Sequence, residues 1–316
     1  MKGKILFIDT AHGHLQQRLE KIGFECLIFP EYRYDDYLNI IGDFVGLVIR
    51  SKIPLDENLL SKATSLRFIA RVGAGMENID VDAATKMNIQ CLNAPEGNRN
   101  AVAEHALGML LALMNKLLLV DAEVRQGVWK RAENRGYEIK GKTVGIIGYG
   151  NTGSAFAQKL LGFEAQILAY DKYKTGFSTA LVKESSMEEI FQKADILSLH
   201  VPLTSETEGL VDAAYLKQFD KPIFLVNTAR GAVVRTADLL TALNLGQVRG
   251  ACLDVLEFEK FSFEDLQQHS LPKTFHELLQ RKDVVLSPHI AGWTYESHFL
   301  MAEVLAGKIE RFFAEN

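Results

Sequence analysis

Short apolar runs recur along the chain, and stretches with helical spacing separate them. In the first third the runs are Lys4 to Asp9, Cys26 to Phe29, Gly46 to Ile49, Phe68 to Val72 and Gln90 to Asn93. Between the first two, Leu15, Leu19 and Ile22 repeat at intervals of four and three, which puts them on one helix face. Strand and helix alternating in this way specify an α/β layer with a parallel sheet.

A long helical pattern begins after Pro95 and runs from about Ala101 towards Val128. A second alternating series follows: Thr143 to Gly148, Gln166 to Asp171, Ile196 to His200, Ile223 to Asn227, Gly250 to Val255 and Val284 to Ser287. These runs are mostly apolar on both faces, as expected of parallel strands covered by helices on both sides. Ser186 with Glu189 three positions on predicts a capping box at the start of one intervening helix. Tyr295 to Phe313 reads as a closing helix. Two sheets joined by one long helix predict two lobes.

Composition narrows the class. A chain of 316 residues suits two domains, and 47% hydrophobic with 24% charged residues is ordinary for a soluble enzyme. A net charge of -5 and a pI near 5.9 give no basic excess, so nucleic acid is not the expected partner. Cys26, Cys91 and Cys252 are far apart and odd in number, which predicts buried thiols in a reducing cytoplasm. The start, MKGKILFID, runs directly into a strand, so no export signal is expected. Ala106 to Asn115 is the most apolar stretch, but it is shorter than the roughly 20 residues a spanning helix needs, so no membrane is expected.

The strongest local signal is VGIIGYGNTGSAFAQKL. Gly148, Gly150 and Gly153 stand between an apolar strand and a helical pattern through Phe156, Leu160 and Leu161. The glycines allow a tight turn and a close backbone approach to a pyrophosphate, and the helix N-terminus then faces the negative charge. Asp171 ends the next strand, 23 positions past Gly148 (171 minus 148). That is where ribose hydroxyls of a dinucleotide are held, and a carboxylate there favours NAD over NADP because it repels a 2'-phosphate. Lys172 and Lys174 weaken that preference slightly.

Three further segments put an ionisable residue just after an apolar strand: FLVNTARG with Arg230, GACLDVLEFE with Asp254 and Glu259, and VVLSPHIAGW with His289. Reducing a 2-oxo acid requires a cation for its carboxylate, a proton donor for its carbonyl oxygen, and a group that holds the donor. Arginine suits the first role through its planar fork. Histidine suits the second because it titrates near neutrality. A carboxylate such as Glu259 favours the charged imidazole and fixes its orientation. Taken singly, each residue is more often structural. The chain's other seven histidines (His12, His14, His105, His200, His269, His276 and His298) are read that way. No metal site is expected.

The segments GYGNTG, HVPLTSET, NTARG, LDVLEFE and SPHIAGW, with RVGAGMENID and NAVAEHALGMLLAL before them, resemble the D-isomer-specific 2-hydroxyacid dehydrogenase family in order and spacing. The resemblance covers nearly the whole chain. It implies two Rossmann- or flavodoxin-like doubly wound lobes, with an NAD lobe (97–289) inserted into a substrate lobe (1–96 plus 290–316). It implies Arg230 as substrate anchor, His289 as general acid/base and Glu259 as its partner. For the cofactor it implies Gly148, Tyr149, Gly150, Asn151, Thr152, Gly153 and Asp171, with Val201 and Pro202 flanking the adenine. Thr228, Ala229, Arg230, Asp254, His289 and Gly292 would line the nicotinamide end, and the amides of Ala74 and Gly75 would take the substrate carboxylate. Within the family the long helix serves dimerisation, so a homodimer is implied. The chain departs from the pattern where Lys260, in place of the family's frequent Pro, follows Glu259, and where Lys260 to Lys282 is longer than usual.

For the substrate, VIRSKIPL resembles the first-lobe loop of the phosphoglycerate dehydrogenase branch and would place Arg50, Ser51 and Lys52 against a phosphate. Arg131 and Arg135, beside Trp129, either add to that charge or are ordinary surface cations. The chain ends with its closing helix, so an appended amino-acid-sensing domain and feedback by serine are not expected. The alternatives are a glyoxylate or hydroxypyruvate reductase and, in a different class, an NAD-sensing corepressor-like binding protein. The complete Arg, Glu and His set favours an enzyme.

Overall fold

The computed structural model describes residues 2–259 and 271–315, which form two compact units. One comprises residues 2–99 and 293–315, the other residues 100–259 and 271–292.

The first unit contains strands β1 (Lys4–Phe7), β2 (Glu25–Ile28), β3 (Phe44–Ile49), β4 (Phe68–Arg71) and β5 (Gln90–Asn93). They form an all-parallel sheet in the order β2-β1-β3-β4-β5, the flavodoxin-like arrangement. Helices α1 (Gly13–Lys21), α2 (Tyr34–Ile40), α3 (Glu57–Lys62) and α4 (Val81–Lys86) provide the crossovers. Ile5, Phe7 and Phe68 pack on one face against Leu305 and Ile309, while Leu47, Ile49 and Ile69 pack on the other with Tyr37 and Leu59.

Helix α5 (Pro95–Met114) leads from the first unit into the second, which also contains α6 (Leu117–Arg125). The second unit's strands are β6 (Thr143–Ile147), β7 (Gln166–Tyr170), β8 (Val182–Glu184), β9 (Ile196–Leu199), β10 (Ile223–Asn227), β11 (Val248–Leu253) and β12 (Val284–Leu286). Their order is β12-β11-β10-β9-β6-β7-β8, all parallel, with the reversal between β6 and β9. This is the Rossmann order extended by one strand, and sheets of that order bind ligands at the carboxyl ends of the strands beside the reversal. Helices α7 (Asn151–Lys159), α8 (Met187–Lys193), α9 (Ala213–Leu216), α10 (Thr236–Asn244) and α11 (Lys273–Leu279) cover the sheet. Strands β6, β9 and β10 are buried at every position, which is why they read as unbroken apolar runs.

The chain then returns to the first unit as α12 (Tyr295–Glu315). Arg18 of α1 pairs with Glu303 at 2.8 Å and Glu310 at 2.6 Å on α12. Gly97 lets the start of α5 lie against the α12 backbone, since a Cβ there would stand 2.6 Å from the Met301 nitrogen.

Several expectations need correction. The single long helix is two helices, because Lys116 takes a left-handed conformation (φ 54°) between α5 and α6. Its side chain also turns away to the carbonyl of Glu133, 2.7 Å off. The capping box at α8 is half formed. Ser186 accepts from the Glu189 N–H, but the Glu189 carboxylate goes to Lys183, Lys193 and Ser185 and leaves the Ser186 N–H aside. Of the three free cysteines only Cys252 is buried, whereas Cys26 and Cys91 are half-buried. Strand β8 had no counterpart in the sequence reading. No described helix is long and apolar enough to cross a membrane. The departures from the family pattern at 260–270 lie outside the described residues.

Candidate active site

In the second unit the glycine fingerprint turns from β6 into α7. Gly148 has φ 90°, and a Cβ there would lie 2.5 Å from the carbonyl oxygen of His200. Gly153 is tighter still, with its would-be Cβ 2.0 Å from the Gly148 oxygen, so α7 sits directly on the turn. Gly150 is the N-cap and contributes no side chain, and nothing lies within 4 Å of where its Cβ would be. Asn151, Thr152 and Gly153 therefore begin a helix whose N-terminus faces open space, the arrangement that receives a phosphate.

Asp171, just past β7, ties this turn down. Its Oδ2 accepts from the Tyr149 N–H at 2.8 Å and its Oδ1 from the Tyr173 N–H at 2.9 Å. The two lysines beside it are already engaged. Lys172 pairs with Glu206 at 2.8 Å, and Lys174 donates to the Tyr149 carbonyl at 3.3 Å. Neither is an idle cation for a 2'-phosphate. Val201 and Pro202 follow β9 at the reversal point, and the Tyr149 ring stacks on Phe177. Thr228, past β10, keeps its hydroxyl buried with no hydrogen-bond partner among the described residues. A buried hydroxyl in that state, a side-chain-free N-cap and a ribose-side carboxylate together fit a dinucleotide.

Arg230, Glu259 and His289 stand on loops after β10, β11 and β12 respectively, the carboxyl ends of three neighbouring strands. Asn227 shapes the first loop, donating to the Arg230 carbonyl at 3.0 Å and accepting from the Ala229 N–H at 3.1 Å. Gly231 brings that loop onto the second. A Cβ there would lie 1.9 Å from the Leu256 oxygen. Glu259 closes a turn in which its N–H donates to Leu256 O and its Oε1 accepts from the Leu256 N–H. Its Oε2 lies 2.6 Å from His289 Nδ1. An ionised carboxylate only accepts, so Nδ1 carries the hydrogen of that bond.

His289 is left-handed, with φ 54°. Such a conformation costs about 1–3 kcal/mol for a residue other than glycine, and it must be held by its surroundings. Asp254 holds it. The Asp254 carbonyl accepts from the His289 N–H at 2.7 Å, Oδ1 from the Ile290 N–H at 2.9 Å and Oδ2 from the Ala291 N–H at 2.8 Å. Asp254 is only 1% exposed. Burial pushes its carboxyl up, but hydrogen bonds from His105, Ser287 and the two amides outweigh burial and hold it below the usual carboxylate value. Gly292 ends this loop and the unit.

In the first unit, Asp9 organises the loop after β3. Its Oδ2 accepts from the N–H groups of Arg50, Ser51 and Lys52 at 2.6, 3.0 and 3.2 Å. The Arg50 guanidinium lies 3.9 Å from the centre of the Trp293 ring. Lys52, expected at a phosphate, is otherwise occupied. Its ammonium donates to the carbonyls of Pro30 and Tyr32 and to the Tyr37 hydroxyl, which uses all three hydrogens. It ties down the 30–37 segment. Ala74 and Gly75 follow the Gly73 bend, and their N–H groups donate to nothing among the described residues. Arg131 and Arg135 are exposed, as is Trp129 at 77%.

The sequence reading missed Asp9, Gly231 and the His105–Ser287–Asp254 contacts. Asp9 offered a weak signal, as a carboxylate ending a first strand. The others offered none, because their partners lie 25 residues or more away in the chain (256 minus 231 for the nearest). No cluster of three or more histidine, cysteine or acidic side chains able to hold a metal occurs among the described residues.

Comparison with known proteins agrees with this geometry. The family described as "D-isomer specific 2-hydroxyacid dehydrogenase, NAD binding domain" matches residues 107–291. D-3-phosphoglycerate dehydrogenase of Mycobacterium tuberculosis (strain ATCC 25618 / H37Rv) is 37% identical over 265 residues, which is 83% of this chain and 48% of that protein. The chain thus spans about half the length of the curated phosphoglycerate dehydrogenases it matches. Glyoxylate reductase of Pyrococcus furiosus (strain ATCC 43587 / DSM 3638 / JCM 8422 / Vc1) is 36% identical over 324 aligned positions, 99% of this chain and 93% of that one. Among solved structures, D-lactate dehydrogenase from Aquifex aeolicus complexed with NAD and lactic acid superposes with a TM-score of 0.83 at 26% identity, covering 99% and 96% of the two chains. With its strand order, its glycine turn and its three loop residues in place, the chain belongs to the D-isomer-specific 2-hydroxyacid dehydrogenases, and residues 107–291 are its NAD-binding domain.

Proposed function

We propose that the protein is an NAD-dependent dehydrogenase that interconverts a D-2-hydroxy acid and its 2-oxo acid. The observation that carries this reading is the 2.6 Å contact between His289 Nδ1 and Glu259 Oε2, set at the carboxyl ends of the strands in a Rossmann unit. NAD would lie on the Gly148–Gly153 turn with its ribose at Asp171 and its nicotinamide end towards Thr228, and it supplies the hydride acceptor. His289 Nε2 takes the hydroxyl proton during oxidation and returns it to the carbonyl oxygen during reduction. Glu259 keeps the ring's other nitrogen protonated and stabilises the imidazolium while it exists. Arg230 holds the substrate carboxylate through its fork.

Within that class the proposed substrate is D-3-phosphoglycerate, oxidised to 3-phosphohydroxypyruvate for serine synthesis. Relatives bearing that name at 32–37% identity support it. So does Arg50, whose backbone Asp9 fixes. Reduction of glyoxylate or hydroxypyruvate is the second reading. It is favoured by the engagement of Lys52 with its own chain and by glyoxylate reductases at 36–37% identity. The two separate in one experiment, the kcat/KM for phosphohydroxypyruvate against hydroxypyruvate with NADH. The first reading requires a large preference for the phosphorylated acid. Equal values would select the second. Arg50→Ala should then weaken the phosphorylated substrate about tenfold or more and leave the other nearly unchanged, since a hydrogen bond to a charged group is worth roughly 1.5–3 kcal/mol.

A homodimer is part of the proposal. Leu117, Leu118 and Val124 on α6, and Trp129 beyond it, are large apolar side chains left exposed on one stretch of chain. Scattering mass in solution tests it.

A further inference from the structure

We infer that His105 and Ser287 are positioning residues for His289, acting on it through the Asp254 carboxylate. The inference rests on the proposed proton-transfer role of His289.

Ser287 Oγ lies 2.5 Å from Asp254 Oδ1, and His105 Nε2 lies 2.9 Å from the same Ser287 oxygen. Hydrogen counting fixes the direction of this chain. Asp254 is held in its ionised form and can only accept, so Ser287 donates its single hydroxyl hydrogen to Oδ1. The contact from His105 must then be donated by an Nε2–H. The chain therefore runs His105 Nε2–H to Ser287 Oγ–H to Asp254 Oδ1, and His105 Nε2 itself stands 3.5 Å from that carboxylate oxygen.

The same carboxylate takes the N–H groups of the two residues after His289, Ile290 on Oδ1 beside Ser287 and Ala291 on Oδ2. A carboxylate on a single side-chain bond can turn about it. A hydroxyl and an amide on Oδ1 with a second amide on Oδ2 leave one orientation. His105 steadies the hydroxyl in its turn by donating to one of its two lone pairs while its hydrogen points at Asp254. Ser287 is also held by its own backbone, whose N–H donates to Leu253 O at 3.1 Å. The path thus begins on α5, crosses the ends of β11 and β12, and ends on the left-handed backbone that points the imidazole at Glu259. Its members are 149 and 33 residues from Asp254 in sequence (254 minus 105 and 287 minus 254).

The test is steady-state reduction of hydroxypyruvate and phosphohydroxypyruvate by NADH with the full chain. The variants are Ser287→Ala, His105→Leu, their double, and the conservative Ser287→Thr and His105→Gln. Positioning predicts that each of the first two lowers kcat about tenfold or more while the NADH dissociation constant stays within twofold. The double variant should be no slower than the slower single, because both cut one path. Threonine, and glutamine with its own terminal N–H, should restore kcat to within about threefold of wild type. A packing role alone would lower the urea midpoint and leave kcat per folded molecule unchanged, and that result overturns the inference. Losses that multiply in the double variant also overturn it. If Ser287→Ala does not fold, the His105→Leu and His105→Gln pair decides alone. His289→Asn is measured alongside. If it keeps wild-type turnover, the proton-transfer reading has failed. If it is crippled while His105→Leu and Ser287→Ala are not, only the positioning inference has failed.

Discussion

Gly231→Ala is expected to cripple turnover while leaving a folded protein. The added methyl carbon would stand 1.9 Å from Leu256 O, 2.1 Å from Leu256 C and 2.7 Å from Glu257 N, all backbone atoms with no rotamer to change. Ordinary contact begins near 3.4 Å, so the two loops must separate by about 1.5 Å (3.4 minus 1.9). Overpacking of this kind costs roughly 1–3 kcal/mol, against a total stability of about 5–15 kcal/mol for a domain, so the fold survives. The loops that separate are those of Arg230 and Glu259, however, and a displacement of about 1 Å at reacting groups can cost 10²-fold. The assay pairs urea denaturation with kcat and NADH affinity. The urea midpoint should fall modestly and kcat by about 10²-fold, with NADH affinity changed less. Gly162→Ala is the control, since nothing lies within 4 Å of its would-be Cβ, and it should behave as wild type. A Gly231→Ala protein with kcat within twofold of wild type would refute the claim that this close approach assembles the site.

Three further outcomes follow from the structure. Burial holds the His200 imidazole down at about 3 from an ordinary 6.5, with Nδ1 partnerless among the described residues, so the unfolded chain takes up a proton that the native protein refuses. Stability should therefore fall as pH drops from 6.5 towards 3, by about 1.4 kcal/mol per unit from this group; His200→Gln should flatten urea midpoints measured from pH 7 to 5, and an unchanged slope would contradict the assignment. NADH should be preferred over NADPH in kcat/KM, because Lys172 is paired with Glu206 and Asp171 puts a carboxylate beside the glycine turn that would repel a 2'-phosphate, and Asp171→Ser should narrow the preference. Lys52→Met should lower stability by about 1–3 kcal/mol through its lost hydrogen bonds and act alike on phosphorylated and unphosphorylated substrates, whereas a selective loss on the phosphorylated one would return Lys52 to the phosphate.

Much of the fold was legible because parallel strands are buried on both faces. β10, buried at every position, is Ile223–Asn227 in both readings. β8 escaped because it is a three-residue edge strand with a single fully buried position. The break between α5 and α6 escaped because MLLALMNKLLLV keeps its apolar content across Asn115 and Lys116, and a left-handed residue leaves no mark on hydrophobic spacing. At the site, Arg230, Glu259 and His289 were legible as ionisable residues after apolar strands. What holds them was not. His105 was read as one more structural histidine, and only the fold brings it to Ser287 and Asp254. Lys52 shows the converse, a cation in a suggestive motif whose hydrogens its own chain takes up.

The most direct test of the central claim is single-turnover oxidation of bound NADH by hydroxypyruvate in the wild type and in His289→Gln. The account predicts rapid oxidation in the wild type, and a loss of about 10²–10⁴-fold in the variant with NADH binding nearly unchanged, the range expected when a general acid is removed. Wild-type rates in the variant would remove His289, and the triplet built around it, from the chemistry.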